Sequence, residues 1–284
     1  SGRLSSSGKL NAQQIPRDNP IVKGCIRARE GYKIISMDLK TAEMYYAAVL
    51  SEDKNLIAIF QSGENFHSSV AKDVFNLDCE VEEVEHLHSK YRNATKAINF
   101  GIIYGAQGFT ISASILSDTG VYISPAECNE YIRIYFRRFP QLKKWIKSTQ
   151  RFIADNAFIY SHFGRKRRLP KANSDNKGER AHEIRSGLNF VIQSLASDIN
   201  VLGAIDIQNW ISTEKKDIKL FALVHDSILA EVKDELIEEY VKKLTDYIQK
   251  DRGVAMQNCP IGCDFEIGED YSFGKFTNKY PEAA

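Results

Sequence analysis

The segment KLFALVHDSILAEV, residues 219–232, decides the fold class. Runs of apolar residues, 220–224 and 228–230, lie on both sides of the polar tripeptide 225–227 (His-Asp-Ser). A short apolar run bounded by polar residues is typical of a buried β-strand, and a short polar break between two such runs is typical of a hairpin turn. The segment therefore predicts a β-hairpin that carries Asp226 at its polar tip.

A second predicted strand also ends in an aspartate. The β-prone run 32–37 follows Gly31 and leads into Asp38, and a helical pattern begins at Ala42. A turn residue is the simpler interpretation of each aspartate taken alone. Two carboxylates brought together, however, repel each other unless cations lie between them, and carboxylate oxygens are ligands that Mg²⁺ prefers. The pair Asp38 and Asp226 is therefore a candidate metal site.

The chain between these strands has a helical pattern throughout residues 54–160. A polar loop at 171–180, a long helix at 181–211, a helix at 234–251 and a strand at 262–267 follow. Predicted helices within the first block span 55–61, 67–75, 84–104, 125–139 and 142–158. This order predicts an α+β fold in which a helical block is inserted between two parts of a sheet platform.

The composition is that of a soluble globular protein, and the overall charge does not indicate which partner the protein binds. The 284 residues are 43% hydrophobic, with 38 basic and 37 acidic residues, as in ordinary soluble proteins. Five scattered cysteines indicate reduced thiols in a cytosolic protein better than a zinc site. No apolar run reaches the roughly 20 residues of a membrane helix, so no membrane partner is expected. The basic cluster 164–171 is either a solvated turn or a phosphate contact.

Four side chains recur every fourth residue in the predicted helix 92–104. Arg92, Lys96, Phe100 and Tyr104 form a stripe roughly 18 Å long, with cations at one end and aromatic rings at the other. Such a stripe is able to hold a nucleotide lengthwise, with its phosphates on the cations and its base or sugar on the rings. The alternative is an amphipathic helix with a solvated cationic end and a core end.

A second polar stripe lies on the long predicted helix. Arg185, Asn189 and Gln193 follow one another at intervals of four residues in an otherwise apolar sequence. Side chains of this kind contact the minor groove or the backbone of a nucleic acid. They are equally consistent with the solvated face of the helix.

Taken together and in this order, these segments resemble DNA polymerase family A, which includes bacterial DNA polymerase I and phage polymerases. Residues 38–43 (DLKTAE) are similar to motif A, 92–105 (RNATKAINFGIIYG) to motif B, and 224–226 (VHD) to motif C. The stretches 1–6 (SGRLSS) and 14–16 (QIP) resemble the sequence that leads into the palm. The resemblance covers essentially the whole chain.

The resemblance implies the palm and fingers of a right-hand polymerase, with an antiparallel palm sheet. The palm would comprise residues 1–45 and 185–284 and the helical fingers 46–184, while the thumb and the exonuclease domain would be absent and belong to a parent protein. The implied reaction is template-directed transfer of a deoxynucleotide from a dNTP to the primer 3′-hydroxyl of primer-template DNA. The implied location is the cytoplasm of a bacterial or phage-infected cell, with an organelle as the alternative.

The resemblance also implies roles for individual residues. Two Mg²⁺ ions, or Mn²⁺ in their place, would be held by Asp38, Asp226 and the carbonyl oxygen of Leu39, and Lys96 would protonate the leaving pyrophosphate. The implied nucleotide-binding residues are Arg92, Lys96, Phe100, Tyr104 and Glu43, with Glu43 as the steric gate against ribose. The implied DNA-binding residues are Arg3, Arg185, Asn189, Gln193 and His225.

One departure from the family pattern keeps two alternatives open. Ser227 stands where the family usually has Glu, so a third carboxylate is missing, and single-subunit RNA polymerases of the same architecture show His-Asp-Ser. Glu43 and Phe100 favour a DNA polymerase over an RNA polymerase. The other alternative is a noncatalytic nucleic-acid-binding relic. The presence of both aspartates and of Arg92 and Lys96 argues against it.

Overall fold

The computed structural model describes residues 2–5, 12–16 and 19–274. Ser1 and Ser6 of the predicted lead-in stretch, and residues 275–284 of the predicted palm, lie outside the described residues. The chain forms two compact units. The sheet unit contains the described parts of Ser1–Ala42, Ala196–Arg252 and Pro260–Ala284, and the helical unit contains Glu43–Leu195 and Gly253–Cys259.

The described residues form six strands and eleven α-helices. The strands are β1 Tyr32–Leu39, β2 Phe158–Tyr160, β3 Lys166–Arg168, β4 Ile218–Val224, β5 Ser227–Lys233 and β6 Cys263–Gly268. The helices are α1 Pro20–Gly24, α2 Ala42–Ser51, α3 Lys54–Ser62, α4 Phe66–Phe75, α5 Val84–Leu87, α6 Ser89–Ile103, α7 Gly108–Thr119, α8 Pro125–Arg138, α9 Pro140–Asn156, α10 Lys177–Thr213 and α11 Ile237–Gln249.

The sheet unit is built on an antiparallel sheet in the order β4-β5-β1-β6. Buried residues of β1 and β5 share one face, where Met37 pairs with Ile228 and Ile35 pairs with Ala230. The predicted hairpin at 219–232 is present as β4 and β5, which pair antiparallel from Ile218 with Val232 to Val224 with Ser227. The α+β class and the antiparallel sheet predicted from the sequence are therefore confirmed.

The helical unit contains α2 to α9 and the first part of α10, and it corrects two predictions. The helical pattern was expected to continue to residue 160, but α9 ends at Asn156 and Ala157 adopts a left-handed φ of 56°. The chain then forms β2, which pairs antiparallel with β3. The loop predicted at 171–180 is also too long, since a 3₁₀ turn occupies Pro170–Asn173 and α10 begins at Lys177.

The long helix α10 contributes residues to both units, which divide at 195/196 and, earlier in the chain, at 42/43. The boundaries predicted from the sequence are 45/46 and 184/185. The assignment of the sheet unit as palm and of the helical unit as fingers stays a prediction. Among the described helices, α10 alone has the length and apolar composition of a membrane span. Because 67% of that stretch is buried within the protein, a core helix explains it equally well.

A buried carboxylate ties together two helices of the helical unit. Asp53 accepts hydrogen bonds from the backbone N–H groups of Asn55 and Leu56 at the start of α3, at 3.1 and 3.2 Å. Its second oxygen accepts from Gln141 and Leu142 at the start of α9, at 2.9 and 3.0 Å. Four amide groups that lack partners within their own helices are satisfied by one negatively charged side chain.

We expect Asp53→Ala to lower the free energy of unfolding by about 3 kcal/mol, because it leaves four N–H groups, two of them buried, without their acceptor. Urea unfolding of the intact chain measures the change. Asp155→Ala on α9 is the control, since Asp155 is exposed and lies 3.9 Å from Arg151, and its effect should stay below about 0.5 kcal/mol. Equal effects of the two substitutions would contradict the capping role.

Candidate active site

The predicted metal ligands lie at one end of the sheet. Asp38, near the end of β1, pairs in register with Ser227, the first residue of β5. Asp226 directly precedes Ser227 in the two-residue turn between β4 and β5. Since neighbouring strands are about 4.8 Å apart, this register brings the two carboxylates to adjacent positions. Leu39 directly follows Asp38 as the last residue of β1, and its side chain is buried.

Each carboxylate has one polar side-chain partner among the described residues and remains accessible to solvent. Ser227 Oγ donates to Asp38 Oδ1 at 2.5 Å, and Arg3 Nη2 donates to Asp226 Oδ2 at 3.1 Å. Asp38 is exposed, and the Asp226 side chain is 29% exposed. A carboxylate has about four acceptor positions, so both groups retain free ones. Two accessible carboxylates with a nearby carbonyl are hard oxygen donors and fit a divalent ion such as Mg²⁺ or Mn²⁺.

The backbone at this end of the sheet is unusual. His225 in the hairpin turn and Thr41 before α2 both have left-handed φ angles, 55° and 50°. Residues other than glycine rarely adopt this conformation, and such positions cluster at active sites and ligand clamps. His225, a predicted DNA contact, is exposed at the turn.

A third carboxylate lies beside the pair and was missed by the sequence analysis. Asp264 of β6 pairs in register with Asp38 on the side opposite Ser227, and its side chain is 62% exposed. Lys40 Nζ lies 3.7 Å from Asp264 Oδ1. In the described part of the chain, no group of three or more His, Cys, Asp or Glu side chains is arranged to hold a metal ion. The available sequence signal was the presence of two acidic residues, Asp264 and Glu266, within the strand predicted at 262–267.

The cationic end of the helix α6 has a histidine beside it. Arg92, whose side chain is 13% exposed, lies 3.5 Å from Glu85, and Lys96 is half-buried. Burial, together with the positive charges of Lys96 and Arg92, lowers the pKa of His67 in α4 to about 4. The Asn99 side-chain nitrogen lies 3.1 Å from His67 Nδ1. Because an amide NH₂ only donates, Nδ1 is the acceptor and the neutral ring carries its proton on Nε2.

His67 was not among the sequence-predicted site residues, since no spacing links position 67 with the stripe at 92–104. Its ring centroid lies 6.3 Å from that of Phe100, which is 42% exposed. Two cationic side chains, Arg92 and Lys96, and the imidazole of His67 therefore lie at one end of the stripe. The exposed ring of Phe100 lies next to them. This arrangement suits an anion with an attached planar group.

The low pKa of His67 predicts a pH dependence of stability. The unfolded chain takes up this proton near pH 6.5, whereas the folded protein takes it up only near pH 4. The contribution to stability is therefore fully present above pH 6.5 and is lost as the pH falls towards 4. We expect the wild type to lose about 2 kcal/mol more than His67→Gln over this range. Urea unfolding at pH 7, 6, 5 and 4 tests this, and parallel losses in both proteins would contradict it.

The aromatic end of the stripe is joined to two other predicted site residues within the helical unit. Tyr104, the C-cap of α6, donates its hydroxyl hydrogen bond to Glu43 Oε1 at 2.5 Å. Gln193 Nε2 of α10 donates to the Tyr104 hydroxyl oxygen at 3.1 Å. A residue expected to contact nucleotide and one expected to contact DNA are thus linked through one phenol.

Arg185, another member of the polar stripe on α10, packs near the end of α6. A Cβ on Gly105, which has a φ of 66°, would lie 3.1 Å from the stem of Arg185, so glycine permits the close approach. Arg185 and Asn189 are half-buried, and Asn189 Oδ1 has no hydrogen-bond partner within the described ranges. The stripe is therefore partly enclosed by protein, and its contact with a nucleic acid stays a prediction.

Comparison with known proteins assigns the family. The sequence profile of DNA polymerase family A matches residues 1–272. The DNA polymerase of Escherichia phage T5 is 46% identical over 307 aligned residues, which cover all of this chain and 36% of that protein. The DNA polymerase I of Caldicellulosiruptor bescii is 31% identical over 85% of this chain and 28% of its own length.

A solved structure is similar over most of the chain. The POL domain of Pol1 from M. smegmatis, in complex with DNA primer-template and dNTP, superposes with a TM-score of 0.84 at 25% identity, covering 96% of this chain and 46% of that one. The chain belongs to DNA polymerase family A, whose members are in general metal-dependent. It spans about a third of the length of the curated relatives it matches.

Proposed function

We propose that this chain is the catalytic core of a DNA polymerase, which transfers a deoxynucleotide from a dNTP to the 3′-hydroxyl of a primer paired with a template. The observation that supports this most directly is the register that places Asp38 and Asp226 at adjacent strand ends. The chain works within a longer polymerase in the cytoplasm of a bacterial or phage-infected cell. Two observations support this. The chain covers only 36% and 28% of the length of two relatives, and these relatives come from a phage and a bacterium.

Asp38, Asp226 and the Leu39 carbonyl hold two Mg²⁺ ions, for which Mn²⁺ is a substitute. Bound ions of this kind lower the pKa of the attacking hydroxyl and neutralise charge on the phosphates. The chain's own contribution is to fix the two carboxylates. Ser227 orients Asp38 by donating to one of its oxygens, and Arg3 forms an ion pair with Asp226.

Arg92, Lys96 and His67 receive the triphosphate. Charge-assisted hydrogen bonds from the two permanent cations position it, and its negative charge raises the pKa of His67 and so favours the protonated ring. As the primer oxygen bonds to the α-phosphorus, the bond from that phosphorus to the bridging oxygen breaks. Lys96 gives its Nζ proton to the departing pyrophosphate, and Phe100 lies against the sugar and base of the incoming nucleotide.

Glu43 and Tyr104 select the sugar and control the templating position. The hydrogen bond from Tyr104 holds the Glu43 carboxylate in place, so that it excludes a ribose 2′-hydroxyl as a steric gate. Tyr104 stacks at the templating position until α6 closes. Because its hydroxyl is also held by Gln193, this movement requires both hydrogen bonds to break.

Five residues contact the DNA near the primer end. They act on sugars, phosphates and minor-groove acceptors, which are common to all base pairs, and so they test the geometry of a pair without reading its sequence. These residues are Arg3, Arg185, Asn189, Gln193 and His225.

Incorporation of a single nucleotide into a primed template with Mg²⁺ tests the proposal. We expect a deoxynucleotide to be incorporated in preference to the matching ribonucleotide. The alternative of an RNA polymerase is favoured by one observation, the Ser227 that follows the motif C aspartate. A preference for the ribonucleotide would establish that alternative, and binding of primer-template without incorporation of either nucleotide would indicate a noncatalytic relic.

A further inference from the structure

The small hairpin of β2 and β3 in the helical unit presents cations and aromatic rings on one face. Phe158 pairs in register with Arg168, and Tyr160 pairs with Lys166. Because side chains alternate along a strand and paired residues share a face, these four side chains lie on the same side. Tyr160 is 48% exposed, and Lys166 and Arg168 are exposed as well.

The opposite face of the hairpin is anchored to the protein. Arg167 Nη2 donates to Ser186 Oγ of α10 at 2.6 Å, and its guanidinium carbon lies 5.6 Å from the Phe190 ring centroid. Leu169, directly after β3, is buried in a cluster with Ile153. The three basic residues of β3 are therefore divided between two functions, with Arg167 fastening the hairpin and the other two directed outwards.

The outward cations have aromatic neighbours but no acidic ones. Lys166 Nζ lies 4.0 Å from the Phe158 ring centroid and 5.6 Å from that of Tyr160. Neither Lys166 nor Arg168 forms an ion pair with a carboxylate of the described chain. Two more exposed rings lie nearby in sequence, Phe163 in the turn and Phe152 at the end of α9, where Phe152 packs edge-on against Phe158.

Unpaired cations among exposed rings are the features that bind single-stranded nucleic acid. Phosphates contact the cations, and unpaired bases stack on aromatic side chains, whatever the sequence. A duplex would use the cations alone, because its bases are already stacked on one another. The exposed ring of Tyr160 therefore discriminates in favour of an unpaired strand.

We propose that the outward face of the β2–β3 hairpin binds the unpaired 5′ stretch of the template strand. This proposal rests on the proposed polymerase function, since the template overhang is the single strand that the substrate of that reaction supplies. Lys166 and Arg168 contact its phosphates, and Tyr160 stacks on one of its bases.

Fluorescence anisotropy with the intact chain tests the proposal on two labelled duplexes, one with a template overhang of about ten nucleotides and one blunt. The variants are Tyr160→Ala and the double substitution Lys166→Ala with Arg168→Ala. We expect each to weaken binding of the overhang substrate about tenfold, within the range for loss of one stacked base. Binding of the blunt duplex should stay within twofold of the wild type. The double variant should also lower the salt slope by about 1.4, since each lost phosphate contact contributes about 0.7.

Matched controls come from the same unit. Lys143→Ala removes a lysine that also lies over a ring, that of Phe136 at 5.7 Å, and Tyr122→Ala removes a ring that is 67% exposed. Both controls should bind like the wild type, and Tyr160→Phe should restore overhang binding because it keeps the ring. Unchanged binding in the hairpin variants, or equal weakening with both substrates, would overturn the proposal.

The two proposals fail in different ways. Single-turnover incorporation by the wild-type protein at saturating DNA tests the polymerase function by itself. A wild-type protein that incorporates nothing would refute the polymerase function. A wild-type protein that incorporates, but whose overhang binding is insensitive to Tyr160, Lys166 and Arg168, would refute only the hairpin site.

Discussion

The Asp226→Asn protein should incorporate a deoxynucleotide about 1,000-fold more slowly than the wild type in Mg²⁺. Asparagine keeps the size of the side chain and suits the hairpin turn, but it replaces a charged metal ligand with a neutral one. We therefore expect the transition state to lose about 4 kcal/mol of stabilisation, which corresponds to a factor of 1,000 in rate. Single-turnover rates at saturating nucleotide measure it.

Asp234→Asn provides the control for this prediction. Asp234 is exposed and directly follows β5, the strand that begins beside Asp226, so it lies at the opposite end of the same strand. Its rate should stay within about twofold of the wild type. Urea unfolding should show both variants within about 1 kcal/mol of the wild type, because the Arg3–Asp226 pair is partly exposed. A fully active Asp226→Asn protein would exclude Asp226 as a metal ligand.

The second large effect is expected for Lys96→Ala, which should lower kcat/KM for the incoming dNTP about 100-fold. A charge-assisted hydrogen bond to a phosphate is worth roughly 1.5 to 3 kcal/mol, and Lys96 is assigned both such a bond and the proton of the leaving group. Lys90→Ala on the same helix removes an exposed lysine outside the predicted stripe and should leave kcat/KM within about twofold of the wild type.

The separate kinetic constants distinguish the two roles of Lys96. If the lysine only holds the triphosphate, KM rises while kcat is kept. If it also protonates pyrophosphate, kcat falls as well, and the alkaline limb of the wild-type pH–rate profile disappears in the variant. Equal kinetics of Lys96→Ala and Lys90→Ala would contradict both roles.

The sheet and its carboxylates could be predicted from the sequence because the necessary signal is local. In residues 219–232 two apolar runs indicate two strands, and the polar break between them indicates the turn that carries Asp226. Asp38 follows the same logic at the end of β1. The side chains of α6 were also predictable as a stripe, since an interval of four residues keeps them on one side of a helix.

Other residues depend on tertiary contacts that no local pattern encodes. His67 and the start of the stripe at Arg92 belong to different helices, and only the packing of α4 near α6 brings them together. Asp53 resembles an ordinary N-cap in sequence, yet half of its hydrogen bonds go to α9, 88 and 89 residues away. The strands β2 and β3 have three residues each, too few for alternation to be recognised.

The central position of β1 also determines when this protein is able to finish folding during its synthesis. Ser227, which pairs with Asp38, emerges from the ribosome 189 residues later, and β6 on the other side is later still. At elongation rates of roughly 5 to 20 residues per second, about 10 to 40 seconds pass between the synthesis of Asp38 and that of Ser227. Both edges of β1 stay unpaired during this time. The helical unit, made largely of contacts within 43–195, is translated during that interval, so the two carboxylates meet among the last events of folding.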